Sequence, residues 1–175
     1  MSMYTETEAR AILDKVIKLS TADECSAQLD GSINGNIRYA RNAVSTSGII
    51  NDAQLSVQVS FGKRVGVATI NEFDDASLKK VVMRAEELAK LAPENPEFMP
   101  GIEKQEYKST PTFSEKTAAV TPEYRASVAA ASITPCKANN LVAAGFFSDS
   151  QRFSAIANKK GNFGYQTSTN ADFTC

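Results

Sequence analysis

The stretch Gln54-Leu55-Ser56-Val57-Gln58-Val59-Ser60-Phe61 alternates polar and apolar residues without a break. A period of two puts every second side chain on one side of the chain, so the stretch reads as a β-strand with one wet and one buried face. One-sided burial is the habit of antiparallel sheets and calls for a covering layer. Gly62-Lys63 follows as a tight turn, and Arg64–Ile70 returns as a second strand. Val65 and Val67 lie on one side of it and Gly66 on the other, where a neighbour can come close to the backbone.

The covering layer is readable on both sides of this hairpin. Thr5 and Glu8 have capping-box spacing, and Ala9, Ile12, Leu13, Val16 and Ile17 recur at helical intervals after them. Asp74-Asp75 opens a second helix, since a carboxylate there caps free N–H groups and meets the positive end of the helix dipole. Its stripe runs through Leu78, Val81, Val82, Ala85, Leu88 and Ala89, and Pro93 and Pro96 stop it. Between the first helix and the hairpin, Cys25–Leu29 and Ile37–Val44 read as strands. Asp30-Gly31-Ser32 and Asn34-Gly35 read as turns.

Pro93, Pro96, Pro100, Gly101 and Pro111 make the next stretch an irregular connection. Beyond it come a short helix around Ser114–Val120 and a longer one from Thr121-Pro122 to about Ile133, before Pro135. Three strand candidates follow: Leu141–Ser148, Arg152–Asn158 and Phe163–Phe173. Turns at Asp149-Ser150 and Lys159-Lys160-Gly161-Asn162 divide them. The predicted fold is α+β, with helices packed on a mainly antiparallel sheet, followed by a helix plus β-meander. The predicted organisation is an N-terminal α+β subdomain over 1–95, an irregular linker over 96–112 and a helix-plus-meander part over 113–175. The alternating run Asn170–Thr174 stops at Cys175 with no polar tail, which reads as an end inside a longer protein.

Composition narrows the chemistry. The 175 residues are 42% hydrophobic and 22% charged, close to globular norms, and the formal net charge is -1. This near-neutral balance gives no general attraction to nucleic acid or to an anionic membrane. No stretch approaches the roughly 20 apolar residues of a membrane span, and Met1–Arg10 lacks the pattern of a secretory signal, so a cytoplasmic location is expected. Cys25, Cys136 and Cys175 form no C-x-x-C pair and read as free thiols. There is no histidine. That removes Ser-His-Asp and Cys-His catalysis and every histidine-bearing zinc site from these residues. Asp74-Asp75 is explained by capping and Glu86-Glu87 by a solvated helix face, so no catalytic and no metal-binding residues are assigned.

Two motifs bear on binding. Lys160-Gly161-Asn162-Phe163-Gly164-Tyr165 resembles the RNP1 strand of RNA-recognition domains, where exposed rings stack on bases. Asn162 interrupts the spacing, and Thr167 stands where another aromatic belongs. Gly62-Lys63-Arg64-x-Gly66 has the glycines and cations of a phosphate loop, but it joins two strands rather than leading into a helix. Arg38, Arg41, Lys63 and Arg64 form one basic patch if their strands are neighbours. They are the candidate contacts for a peptide carboxylate or an acidic partner.

Three stretches in order resemble the TldD/PmbA family, the "modulator of DNA gyrase" peptidases. They are Asn36-Ile37-Arg38-Tyr39-Ala40-Arg41-Asn42 with Ser47-Gly48; Phe61-Gly62-Lys63-Arg64-Val65-Gly66-Val67-Ala68-Thr69-Ile70-Asn71; and Ser77-Leu78 through Arg84-Ala85-Glu86-Glu87-Leu88-Ala89 into Pro93-Glu94-Asn95-Pro96-Glu97. The resemblance implies a metallopeptidase or its metal-less sister subunit, acting on unfolded or small peptides. It implies a zinc helix of the form H-E-x-x-x-H in the middle of the full protein, and nothing in residues 1–175 matches that motif. By this likeness the segment is an N-terminal, non-catalytic domain that shapes the substrate chamber and contacts a homo- or heterodimer partner of the same family. No cofactor is expected in the segment itself, zinc being expected outside it. A peptide held along a strand edge is a further implication. The alternatives are a stand-alone peptide- or protein-binding module and an RNP-type RNA-binding module.

Overall fold

The computed structural model describes residues 3–175. In chain order the elements are α1 (Glu6–Leu19), β1 (Glu24–Ala40), β2 (Ala43–Phe61), β3 (Arg64–Ile70), α2 (Asp75–Leu91), α3 (Glu115–Ala118), α4 (Pro122–Ala138), β4 (Gly145–Asn158) and β5 (Phe163–Thr174). The strands form one antiparallel sheet in the order β3-β2-β1-β4-β5. The α+β architecture read from the sequence is the architecture found.

Local chemistry explains the helices. The Thr5 hydroxyl accepts from the Glu8 N–H, and the Glu8 carboxylate accepts from the Thr5 N–H at 2.8 Å, so the capping box is complete. Asp74 accepts from the N–H groups of Ala76 and Ser77 and starts α2. Thr121 caps α4 with Pro122 in its first turn. Pro135 does not end α4: the helix runs to Ala138, because a proline this late loses one hydrogen bond near the frayed end.

The inner face of the sheet carries two apolar clusters. At one end Cys25, Ala27, Leu29, Leu55, Val57, Val59, Phe153 and Ala155 meet Leu13 and Val16 of α1 and Leu78, Val81 and Ala85 of α2. At the other end Ile37, Tyr39 and Phe147 meet Ala129 of α4. Gly66 lies under α2 as its position in β3 suggested: a Cβ there would penetrate the Ala85 carbonyl and the Ala89 backbone.

The strands are longer than the sequence pattern implies. Gly31 and Asn34-Gly35, read as turns, lie inside β1. A Cβ on Gly31 would strike the Phe153 ring, and one on Gly35 would strike the Arg125 guanidinium, so both glycines make room for side chains. Asp149-Ser150, also read as a turn, lies inside β4. The turn that does exist falls within the predicted Ile37–Val44 strand, at Arg41 and Asn42 with φ of 51° and 60°. Two positive φ values in a two-residue loop match the twist of the flanking strands. The Asn42 amide donates to the Leu141 carbonyl and accepts from the Ala143 N–H, fixing the turn to the chain that enters β4.

Residues 96–112 hold no helix or strand, and β1 and β4, from either side of that segment, pair directly. The segment is tied to the sheet by Asn162, which is buried. Its amide donates to the carbonyls of Ile102 and Glu103, and its oxygen accepts from the Gln105 N–H at 2.6 Å. Further on, the Thr112 hydroxyl donates to the Thr167 carbonyl, and the Thr169 N–H donates to the Thr112 carbonyl.

Candidate functional site

The two faces of the sheet differ in chemistry. Alternation sends Gln28, Asp30 and Ser32 of β1, Asp52 and Gln54 of β2, Arg152 and Ser154 of β4, and Gln166 and Ser168 of β5 outward, away from the helices. All of these but Gln28 line an open cleft of about 470 Å³ on the outer face. Apart from Asp30, Asp52 and Arg152, its side chains are hydroxyls, carboxamides and apolar groups. The Asp30 carboxylate accepts from Gln28 at 2.9 Å, and Asp52 accepts from the Ala53 N–H. Neither makes an ion pair among the described residues. A second cavity of about 250 Å³ lies where Ile102 and Tyr107 pass over Gln28, Gln58 and Ile156.

The cleft opens toward an unfinished strand edge. β3 pairs with β2 only from Leu55 to Phe61. Over Ala43–Ile50, β2 has β1 on one side and no strand on the other among the described residues. Val44, Ile49 and Ile50 are half or more exposed there. The stretch carries no lysine, arginine or proline, the residues that commonly protect an edge. Its outer N–H and C=O groups are therefore available to an added strand. This edge was not identified from the sequence, although Gly48-Ile49-Ile50, an apolar run beyond the clean alternation, was a visible signal for it.

One charged pair is buried. Arg125 of α4 forms a bidentate contact with Asp149 of β4, Nε to Oδ1 at 2.5 Å and Nη2 to Oδ2 at 2.9 Å. Asp149 holds the guanidinium strongly protonated, above its ordinary value, against an opposing effect of burial. Two parallel charge-assisted bonds fix α4 over Gly35. The pair docks the helix, and neither residue lines the outer cleft. Sequence reasoning missed it because Arg125 falls in a helix whose apolar stripe is weak.

The four basic residues are not brought together. Arg38 and Arg41 sit at one end of β2's length, and Lys63 and Arg64 at the other. Nineteen residues of strand separate the pairs by about 60 Å. Arg38 lies over the Phe146 ring at 5.7 Å, and Arg64 reaches toward the Lys90 carbonyl. A single basic patch does not form, because both turns belong to the same long strand.

The RNP-like run also has other employment. Phe163 is covered by the Arg10 guanidinium at 3.6 Å, and Tyr165 packs on Phe153 and donates to the Tyr4 carbonyl. Both rings face the helices, so they offer no platform for bases on the outer face. Cys25 is buried, and burial pushes its thiol up. Among the described residues no group of three or more Cys, Asp or Glu side chains is placed to hold a metal ion. No helix among them is long and apolar enough to cross a membrane.

Residues 30–89 match the family model described as PmbA/TldA metallopeptidase domain 1. No curated protein matches the chain. Among solved structures, TldE from Thermococcus kodakarensis aligns with a TM-score of 0.82 at 19% identity, over 95% of this chain and 38% of its own. A candidate modulator of a DNA gyrase from Thermotoga maritima aligns at 0.79 and 12% identity, over 94% and 38%. A candidate modulator of DNA gyrase from Bacteroides thetaiotaomicron aligns at 0.72 and 14%, over 94% and 39%. The chain thus spans about two fifths of the length of the solved structures it matches. At these identities the alignments carry the fold, and the family model matches residues 30–89 alone. The chain has the fold of these solved structures, and its residues 30–89, which run from β1 through β2 and β3 into α2, are similar to PmbA/TldA metallopeptidase domain 1.

Proposed function

We propose that this domain is the non-catalytic N-terminal part of a TldD/PmbA-like metallopeptidase, and that it walls the substrate chamber and contacts a family partner. In this reading the outer sheet face is the chamber wall, and the open edge of β2 guides an extended polypeptide or pairs with the partner subunit. The single observation that carries it is the unpaired, apolar-flanked edge Ala43–Ile50 beside a cleft of mainly uncharged polar side chains with Asp30, Asp52 and Arg152 among them. An edge binds main chain through hydrogen bonds that do not depend on sequence, which suits substrates that arrive unfolded.

The chemistry of hydrolysis is assigned elsewhere. The chain has no histidine, and among the described residues carboxylates and thiols form no cluster, so these residues do not fit a zinc site. The zinc of a metal-bearing family member, which would activate a water, belongs outside residues 1–175 in this proposal. What these residues contribute is orientation and exclusion: the sheet face limits where a peptide can lie.

The test is equilibrium binding of a permanently unfolded protein, such as reduced and carboxymethylated ribonuclease, to the chain and to its I49K/I50K variant. Binding that is at least tenfold weaker in the variant, with no cleavage by either, supports the proposal. Equal binding by both, or cleavage by the chain alone, would overturn it.

A further inference from the structure

The open edge has a side-chain code as well as a main-chain one. Side chains on β2 alternate, so Ile50 and Asp52 lie on the outer face and Ile49 on the inner one. Ile49 is 57% and Ile50 62% exposed. A strand added antiparallel to β2 places residue n opposite Asp52, n+2 opposite Ile50 and n+3 opposite Ile49. Directly opposite side chains in a sheet sit within contact distance, and their pairing sets register.

Charge decides what belongs at n. Among the described residues Asp52 makes no ion pair, and its carboxylate accepts a hydrogen bond from the neighbouring Ala53 N–H. Asp30 stands diagonally behind it on β1, since Asp30 pairs with Gln54 and Ser32 with Asp52. The one cation of the cleft, Arg152, pairs across from Ser32 on β4, with the whole of β1 between it and Asp52. Asp52 is thus exposed on the edge strand itself, while the cation of the cleft lies two strands away on β4.

Resting on the reading of Ala43–Ile50 as a strand-accepting edge, we infer that this edge selects extended peptides carrying a basic residue followed two and three positions later by branched apolar residues, in a Lys-x-Ile-Val pattern. The lysine meets Asp52 with Asp30 behind it, and the isoleucine and valine cover Ile50 and Ile49. A cross-strand pair of opposite charge at an exposed position shifts affinity by up to about fivefold, and salt screens it.

The test uses the chain and three fluorescein-labelled decapeptides identical except for Lys, Gln or Glu at n. Fluorescence anisotropy should rank them Lys, Gln, Glu, with Lys about fivefold tighter than Gln at low salt. D52N should bring Lys and Gln together, and D52K should favour Glu. Methylating alternate backbone nitrogens of the Lys peptide should abolish binding if main-chain pairing holds it. Equal binding of the three peptides to the unmodified chain overturns the charge code and leaves the edge standing. No binding by any of them overturns both. A dimer seen by sedimentation, dissociated by I49K/I50K and indifferent to peptide, gives the edge to a second copy and overturns the peptide inference.

Discussion

Gly66→Ala tests the packing that fixes the hairpin under α2. The change adds one methyl at a position whose backbone conformation is ordinary for β-strand, so no torsional penalty arises. The added carbon would lie 2.9 Å from the Ala89 Cα and closer still to the Ala85 carbonyl oxygen and Ala89 nitrogen. These are helix backbone atoms and cannot swing aside, so α2 must retreat by about 1 Å to reach ordinary contact. The retreat loosens Leu78, Val81, Val82 and Ala85, each 3% exposed or less. Overpacking of this kind costs about 1–3 kcal/mol. The stiffer unfolded chain of alanine returns about 0.4–1 kcal/mol. The net loss is about 1–2 kcal/mol, which at this chain length lowers Tm by about 2–8 °C. Urea denaturation followed by far-ultraviolet circular dichroism reads it, with Gly48→Ala as control, since nothing lies within 4 Å of a Cβ there. A Gly66→Ala midpoint equal to or above the parent's would refute the reasoning.

Arg125→Ala leaves Asp149 buried without its partner and should cost about 3–5 kcal/mol, while the double change R125M/D149L should recover most of that loss; chemical denaturation of the three proteins checks it. Asn162→Ala removes three hydrogen bonds that hold residues 102–105, and limited proteolysis should cut the 101–108 region several-fold faster with the core intact. Burial raises the Glu86 carboxyl, but hydrogen bonds from the Thr21 N–H and hydroxyl and from Ser20 outweigh it and hold the group below its usual range. A depressed folded value means the stabilisation is present above the unfolded glutamate pKa of about 4.3 and is lost as pH falls through the folded value. Urea midpoints measured from pH 6 to pH 3 should fall less steeply in Glu86→Gln than in the parent.

How much of this was legible in the sequence depends on which force placed each residue. Gln54–Phe61 and Gly66 were readable because alternation and close approach are local. The caps at Thr5, Asp74 and Thr121 were readable for the same reason. Gly31, Gly35 and Asp149 misled because turn-forming residues were serving distant partners: Phe153 approaches Gly31, and Arg125 approaches Gly35 and bonds Asp149. No local pattern reports a ring or guanidinium arriving from another element. The true turn at Arg41-Asn42 was hidden by the absence of glycine, although asparagine tolerates positive φ and was the available clue. The proposed site was the least legible part. An open edge is defined by where β3 stops pairing, and Asp52 gains its meaning only from that stop. The four arginines and lysines were singled out by type, and a strand of 19 residues then kept their two pairs apart.

The central claim is that Ala43–Ile50 is an edge waiting for a strand. Backbone amide exchange along β2, with and without the Lys-x-Ile-Val peptide, tests it most directly. The account predicts alternate fast-exchanging amides over residues 43–50 in the free chain, protected when peptide is added, with Leu55–Phe61 protected throughout by β3. Uniform protection of 43–50 in the free chain, or no change there at saturating peptide, would contradict it.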